Sequence, residues 1–226
     1  MSHSTLTWAG QWEGFLAAGT DNVYRGLSLN DGGPALSGDL HWRHDAGWFA
    51  GLGVSTVNLN PGPGAPLELA GYAGRNLVVN PDFDGRIALV HYEYPADPSP
   101  LHYGYDELIA ALAYRNRVFV NLGYSPDTSR YSYRAIAVHR PAYSAEVVTR
   151  LPLRHDWVVN FGLGHYRIAS PIDSGYWFCS AGVDFTRGSW QFELAAIGTD
   201  KHARALFGEA AAGSKWVASV IWRFHS

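Results

Sequence analysis

Alternation of side-chain character at every second position constrains this chain more than any other feature. Large apolar residues occupy alternate positions from Trp157 to Leu163, and between them lie Val158, Asn160, Gly162 and Gly164. Successive side chains of a β-strand point to opposite faces, so the pattern predicts a strand with one large apolar face. The same division recurs over 48–55, 177–185 and 216–224, and no run shows the 3.6-residue period of an amphipathic helix. The chain is predicted to be all-β.

The connections distinguish a barrel from a sandwich, which shows the same alternation. Tight turns are predicted at 44–47, 115–117, 154–156 and 186–189, and longer polar stretches at 58–65, 95–102, 125–141, 169–174 and 200–214. Alternating short and long connections are typical of transmembrane barrels, with short periplasmic turns and long extracellular loops. The sequence therefore predicts a closed antiparallel transmembrane β-barrel of about 12 strands (10 to 14).

The predicted strands follow from these connections, and their even number fits a single-chain barrel. Three places depart from the pattern: 76–84 is too long for a tight turn, 131–139 can form an added strand, and Pro152 removes a ladder donor. The strand boundaries are predicted at Trp12–Ser28, Ala35–His44, Trp48–Asn58, Leu67–Leu77, Arg86–Tyr94, Tyr103–Arg115, Val118–Tyr124, Ala142–Arg154, Trp157–Arg167, Gly175–Thr186, Trp190–Thr199 and Lys215–Phe224.

Aromatic residues gather at the strand ends beside the short turns. Rings in this position form the interfacial girdle of a membrane barrel, although the core of a soluble sandwich would also hold aromatic residues. The residues concerned are Trp42, Trp48, Tyr114, Phe119, Trp157, Phe185, Trp190, Trp222 and Phe224.

Composition narrows the class of protein. The 226 residues suit one domain, 1–226, with residues 1–9 as a flexible N-terminus. Only 16% are charged, the net charge is −3, and the single Cys179 excludes an internal disulfide and a Cys-rich metal site. Nucleic-acid binding is disfavoured, and no apolar run approaches the ~20 residues of a membrane helix. The start lacks the pattern of a secretory leader, so either the chain is not exported or its leader has been removed and a new Met added.

Several short motifs occur in an order that resembles the TorF-type porin family of bacterial outer-membrane proteins. The likeness is clear over residues 12–124 and more diffuse around Gly162–Tyr166. The motifs are Tyr24-Arg25-Gly26-Leu27-Ser28, Pro34-Ala35-Leu36, Gly47-Trp48-Phe49-Ala50-Gly51, Glu68-Leu69, Gly71-Tyr72, Tyr92-Glu93-Tyr94-Pro95 and Tyr105-Asp106-Glu107-Leu108. The resemblance implies an outer-membrane barrel with pore activity and brings no catalytic residues. Family members carry a leader, and many barrels end on an aromatic residue, whereas here His225 and Ser226 follow Phe224.

The faces opposite the large apolar residues carry nearly all the strand charges and are predicted to line the lumen. A charged side chain on the lipid face costs ~2 to 4 kcal/mol at the midplane, which enforces this partition. Paired charges that simply fill the barrel remain an alternative. The pore-lining candidates are the acids Asp39, Glu68, Glu93, Glu107, Glu146, Asp184 and Glu193, the arginines Arg25, Arg43, Arg150 and Arg223, and the histidines His41 and His91.

The charges predicted to line the lumen also predict a function. The excess of acids over arginines predicts passive, weakly cation-selective passage of small hydrophilic solutes or ions. Arg25 either recognises an anionic group or is tied to Glu68 or Glu93 in the wall. Expected partners are the lipid bilayer, lipopolysaccharide, the solutes themselves and the outer-membrane assembly machinery during biogenesis, with the bacterial outer membrane as the location.

The sequence contains no recognisable catalytic, cofactor-binding or metal-binding motif, so we expect no enzymatic activity, cofactor or metal. His41 and His44 are three apart, which puts their rings on opposite faces of a strand. Three alternatives stay open: a plugged structural barrel without transport, an outer-membrane lipid-modifying enzyme using His165 and Ser170, and a soluble β-sandwich binding module.

Overall fold

The computed structural model describes residues 10–58, 67–95, 104–128, 140–169 and 174–226. Within these ranges, twelve strands close an antiparallel barrel in which β1 pairs with both β4 and β14. The predicted fold class and strand number are confirmed. The elements are β1 Gly10–Gly19, β2 Val23–Tyr24, β3 Leu27–Ser28, β4 Ala35–His44, β5 Trp48–Thr56, β6 Leu67–Asn80, β7 Phe83–Glu93, β8 Tyr105–Tyr114, β9 Val118–Thr128, β10 Arg140–Arg154, β11 Trp157–Ile168, β12 Ser174–Arg187, β13 Trp190–Thr199, α1 Lys201–Ala212 and β14 Lys215–His225.

All the short turns lie at one end of the barrel, which we call the short-turn end. Arg115 and Asn116 both have φ near +50°, as a two-residue hairpin turn requires, and Gly47 has φ of 89° in the turn after β4. The long connections leave from the opposite end, and the predicted added strand at 131–139 lies outside the described residues. Residues 76–84 differ from prediction, because β6 and β7 extend towards each other and leave only a tight turn at Pro81 and Asp82. Pro152 lies where the pairing register of β10 shifts.

The first predicted strand, Trp12–Ser28, is wrong in its second half. The chain leaves the wall after Gly19 and forms a small hairpin, β2–β3, whose tip is Arg25 and Gly26 with φ of 50° and 80°. Leu27 and Leu29 are almost fully buried, and each belongs to one of two apolar clusters beside the hairpin. We call residues 20–34 the plug, because they fold into the lumen instead of continuing the wall.

Helix α1 differs from the prediction of a polar loop over residues 200–214. Asp200 caps its N-terminus by accepting from the backbone N–H groups of His202 and Ala203. Gly208 interrupts the helix with φ of 82°, which weakens any 3.6-residue pattern in the sequence. Ala203 and Ala212 are fully buried in the cluster that holds Leu27, so α1 packs on one side of the plug.

The two faces of the wall separate as the alternation predicts. Large apolar side chains on the outer face are exposed, as with Leu52 at 71%. Among the aromatic residues predicted to form a girdle, Phe119 is the exception: it alternates with the outward Val120 and lies on the inner face. The outer face is therefore an almost continuous apolar belt with rings near the short-turn end.

Candidate functional site

The inner face brings most of the predicted lumen residues together. Ten of them lie on inward positions of their strands, and Arg25 reaches the lumen from the plug. Their role in lining a pore stays a prediction. The ten are Asp39, His41, Arg43, Glu68, Glu107, Glu146, Arg150, Asp184, Glu193 and Arg223.

The prediction that His91 and Glu93 line the lumen is wrong, because both lie on the outer face at the long-loop end of β7. The imidazole Nδ1 of His91 lies 2.9 Å from Asp106 on the neighbouring strand, and all three side chains are at least half exposed. In the middle of β7 both faces are apolar, so the alternation does not fix the orientation of the strand. At the rim of the barrel an outward charged side chain contacts water and costs little free energy. His91 and Glu93 therefore do not have to face the lumen, although their polarity predicts that they do.

A cavity of about 440 Å³ occupies the lumen towards the short-turn end, and we call it the lower cavity. It brings Asp39, His41, Arg43 and Arg223 together. Glu13 and Arg86 also line the lower cavity, and neither of them is predicted from the sequence. Arg86 is two residues from the inward Ala88, so it would be predicted to face the lumen only if the inward and outward positions of β7 were assigned correctly. The remaining lining residues are Phe15, Phe49, Tyr72, Asn76, Ala88, Val90 and Ile109.

One wall of the lower cavity is a hydrogen-bonded network on β1, β4 and β6. The Tyr72 hydroxyl donates to Oδ2 of Asp39 at 2.6 Å, and the other carboxylate oxygen lies 2.8 Å from Nδ1 of His41. Arg43 pairs with Glu13 at 2.7 Å. The acids of this wall therefore already have partners on the same wall.

Two arginines of the lower cavity are held by neutral amides. Nε of Arg86 donates to Oδ1 of Asn76 at 2.8 Å, and its guanidinium lies 4.8 Å from the ring centre of Phe49. Nε and Nη2 of Arg223 donate to Oε1 of Gln191 at 3.0 and 2.8 Å. Amide oxygens orient a guanidinium without cancelling its charge.

The plug is fastened to the wall through Glu107, which is 1% exposed. Nη2 of Arg25 forms an ion pair with one carboxylate oxygen, and the Tyr24 hydroxyl donates to the other at 2.9 Å. The Arg25 guanidinium also lies 5.1 Å from the ring of Tyr166, and the hydroxyl of Tyr176 donates to the Arg25 carbonyl. Arg25 is thus bound to the wall as the alternative to solute recognition anticipated, but its partner is Glu107 and neither Glu68 nor Glu93.

A second cavity, of about 360 Å³, lies between the plug and the wall. Tyr24, Arg25 and Glu146 line it, and Ile109 lines both this cavity and the lower one, so the two adjoin. The described part of the lumen is therefore a polar chamber beneath a folded segment of the chain.

The remaining predicted charges are held by near neighbours. Asp184 accepts from Asn160 at 2.9 Å and lies 3.7 Å from Arg150. Glu193 accepts from the Gln191 amide, and Glu68 accepts from the Tyr94 hydroxyl.

Other sites receive no support from the geometry. His165 lies on the outer face with its ring 4.8 Å from Trp177, and Ser170, its partner in the enzyme alternative, is outside the described residues. Over the described ranges, no group of three His, Cys, Asp or Glu residues is placed to hold a metal ion. No helix in that part of the chain is long and apolar enough to cross a membrane.

Comparison with known structures places the fold among barrels. The chain has a TM-score of 0.59 with the NanC porin at 8% identity, covering 94% of this chain and 98% of that one. The KdgM porin, solved with disordered oligogalacturonate, gives 0.56 at 9% identity, covering 95% and 99%. An outer membrane channel from Pseudomonas putida F1 gives 0.55 at 11% identity, covering 96% of each chain. At these identities the likeness concerns the fold alone.

No curated protein matches the sequence. Residues 12–224 match the family described as "Bacterial protein of unknown function (Gcw_chp)". The match spans nearly the whole chain, so the chain belongs to this family.

Proposed function

We propose that this member of the Gcw_chp family is a channel of the bacterial outer membrane that lets small hydrophilic solutes or ions diffuse passively. The observation that carries the proposal is the division of the wall into an apolar outer belt and a polar inner face around a chamber of about 440 Å³. Exposed leucine, tryptophan and valine side chains around a closed barrel suit a hydrocarbon environment. Charged inner residues suit water and solutes.

The dimensions of the lumen favour small solutes. The plug packs against the inner face of the wall through Glu107, and the adjoining chambers measure about 440 and 360 Å³. Twelve strands enclose a lumen between those of small filled barrels and the wide channels of larger porins. Polymers and folded peptides are therefore excluded from the proposed cargo.

The proposal includes several further parts. The TorF-type porin assignment, a single barrel domain over 1–226 and the absence of enzymatic activity belong to it. Its partners are the bilayer, lipopolysaccharide and, during biogenesis, the outer-membrane assembly machinery. Cation preference is expected to be weak, because Glu13 takes the place of Glu93 among the lumen acids while Arg86 joins the lumen bases.

Single-channel recording in planar bilayers tests the proposal. Purified protein should give discrete conductance steps in KCl, and the reversal potential in a salt gradient should lie close to zero if selectivity is weak. A variant with residues 21–33 replaced by a short flexible linker should give larger steps, because the plug narrows the lumen. Absence of steps from both proteins contradicts a channel.

The plug itself favours a second function, a sealed structural barrel without transport. Leu27 and Leu29 bury their side chains in two separate apolar clusters, as the core of a seal would require. In that case the intact protein gives no steps and the variant without the plug does. The same recording therefore separates the two functions.

A further inference from the structure

Two guanidinium groups of the lower cavity are in direct contact with no carboxylate of the described residues. Within the described residues, no Asp or Glu oxygen lies within 4.0 Å of the Arg86 or Arg223 guanidinium. Each arginine is instead oriented by an amide oxygen, Asn76 for one and Gln191 for the other. Their remaining N–H groups belong to side chains that line the chamber.

The acids around the cavity are engaged elsewhere. Glu13 pairs with Arg43, and Asp39 accepts from Tyr72 and contacts His41. Glu193 is the nearest acid along the wall from Arg223, but the Gln191 amide lies between them, accepting from the arginine and donating to the acid. With His41 neutral, the side chains lining the cavity carry one more positive charge than negative.

We propose that the lower cavity binds a small organic carboxylate, with Arg86 and Arg223 as its ligands. Planar guanidinium groups match the geometry of a carboxylate, and each can offer two parallel donors. Phe15 and Phe49 supply an apolar surface for the carbon part of the solute, and about 440 Å³ lies within the usual size of a ligand pocket. The inference rests on the proposed function, because diffusion through the lumen is what delivers the solute.

Binding is measured by calorimetry on the detergent-solubilised full chain at constant ionic strength. The probes are gluconate and sorbitol, which differ in one carboxylate. Gluconate should bind and sorbitol should not. Arg86→Gln and Arg223→Gln should each weaken gluconate binding about tenfold, the loss expected for one charge-assisted contact.

The matched control is Arg75→Gln. Arg75 lies on the outer face of the same strand that supplies Tyr72, with its guanidinium 5.1 Å from the Trp48 ring, so its loss should leave binding unchanged. The heat-induced shift in gel mobility confirms that each variant forms a barrel. Equal binding of gluconate and sorbitol, or equal losses in the Arg75 and Arg86 variants, overturns the site.

Recording in potassium gluconate separates this inference from the proposed channel. Gluconate binding that depends on the two arginines, without any conductance, supports the site and contradicts the channel. Conductance steps without gluconate binding support the channel and overturn the site.

Discussion

The carboxylate of Glu107 is where the plug and the wall meet. It lies on the inner face of β8, almost fully buried, and accepts from both Arg25 and Tyr24 at the hairpin. A buried charge with its partner removed is far more costly than a surface one, because water does not replace the lost contact. The position of the plug therefore depends strongly on one ion pair.

Replacing Arg25 by methionine should loosen the plug by about 3 kcal/mol, the lower end of the cost of leaving a buried charge unpaired. Hydrogen–deuterium exchange measures this as faster exchange in residues 20–34, with β11 unchanged. The control is Arg43→Met, which removes the partner of the partly exposed Glu13. It should change the free energy of opening, measured by exchange, by at most ~1 kcal/mol. Equal effects of the two substitutions contradict the proposed fastening.

Asp200 gives a pH-dependent prediction outside the wall. Partial burial acts to raise its pKa, but backbone N–H groups of Ala203, Trp177 and His202 donate to the carboxylate, and the net pKa lies below its ordinary value. The folded-state pKa is lower than the unfolded one, so the cap stabilises α1 above the unfolded-state pKa of ~3.9 and weakens as pH falls through the folded value.

The Ala203 amide signal in NMR spectra of the barrel should follow this titration. Asp200→Asn keeps one acceptor oxygen for the cap and should abolish the pH response, whereas Asp200→Ala should destabilise the helix by ~1 kcal/mol at neutral pH. An unchanged titration in the asparagine variant means that another group is responsible.

Among the elements, the β2–β3 hairpin departs most from its sequence pattern. Its apolar residues alternate as those of a strand do, so nothing local distinguishes a segment inside the lumen from one in the wall. The tip is fixed by close packing: a Cβ on Gly26 would lie 2.6 Å from the Cβ of Phe178 and 2.8 Å from Cγ2 of Thr199. This packing involves residues more than 150 positions away in the chain, which local pattern does not reveal.

Gly26→Ala should displace the tip, because it combines strained φ with this clash. Gly32→Ala is a matched control, since φ is 75° there and no atom lies within 4 Å of the added Cβ. Gly32→Ala should lower the stability of the plug only by the ~1 to 2 kcal/mol of an unfavourable backbone conformation. Gly26→Ala should lower it clearly more, and hydrogen–deuterium exchange in residues 20–34 measures both losses. Similar losses would show that the tip is not tightly packed.

At the scale of the whole molecule, the sequence predicts the barrel well because alternation and connection length are repeated in every hairpin. The same alternation occurs in most of the twelve strands. The topology is therefore predicted correctly even though the inward and outward faces of one strand, β7, are not. The lower cavity is harder to predict. Arg86 and Arg223 are far apart in sequence, and only closure of the barrel places both beside one chamber.

A charge on the outer belt tests the membrane assignment. Leu163 is 55% exposed near the middle of β11, and Leu163→Arg should lower the free energy of unfolding in lipid by ~2 to 4 kcal/mol. Ser189→Arg, in the turn after β12, lies beyond the belt and should change it by less than ~1 kcal/mol. Denaturant titration of both variants in lipid vesicles gives the comparison, and equal stabilities contradict burial of Leu163 in hydrocarbon.

The seam between β1 and β14 also governs the order in which the barrel can be made. The first and last strands of the wall pair over seven positions, from Glu13–His225 to Gly19–Ser219. Until β14 pairs with both neighbours, the wall is an open sheet with unpaired backbone groups along β1 and β13. Such edges are intolerable in hydrocarbon. Since the plug follows β1 directly, it is already tethered beside the seam when the last strand arrives, and closure encloses it.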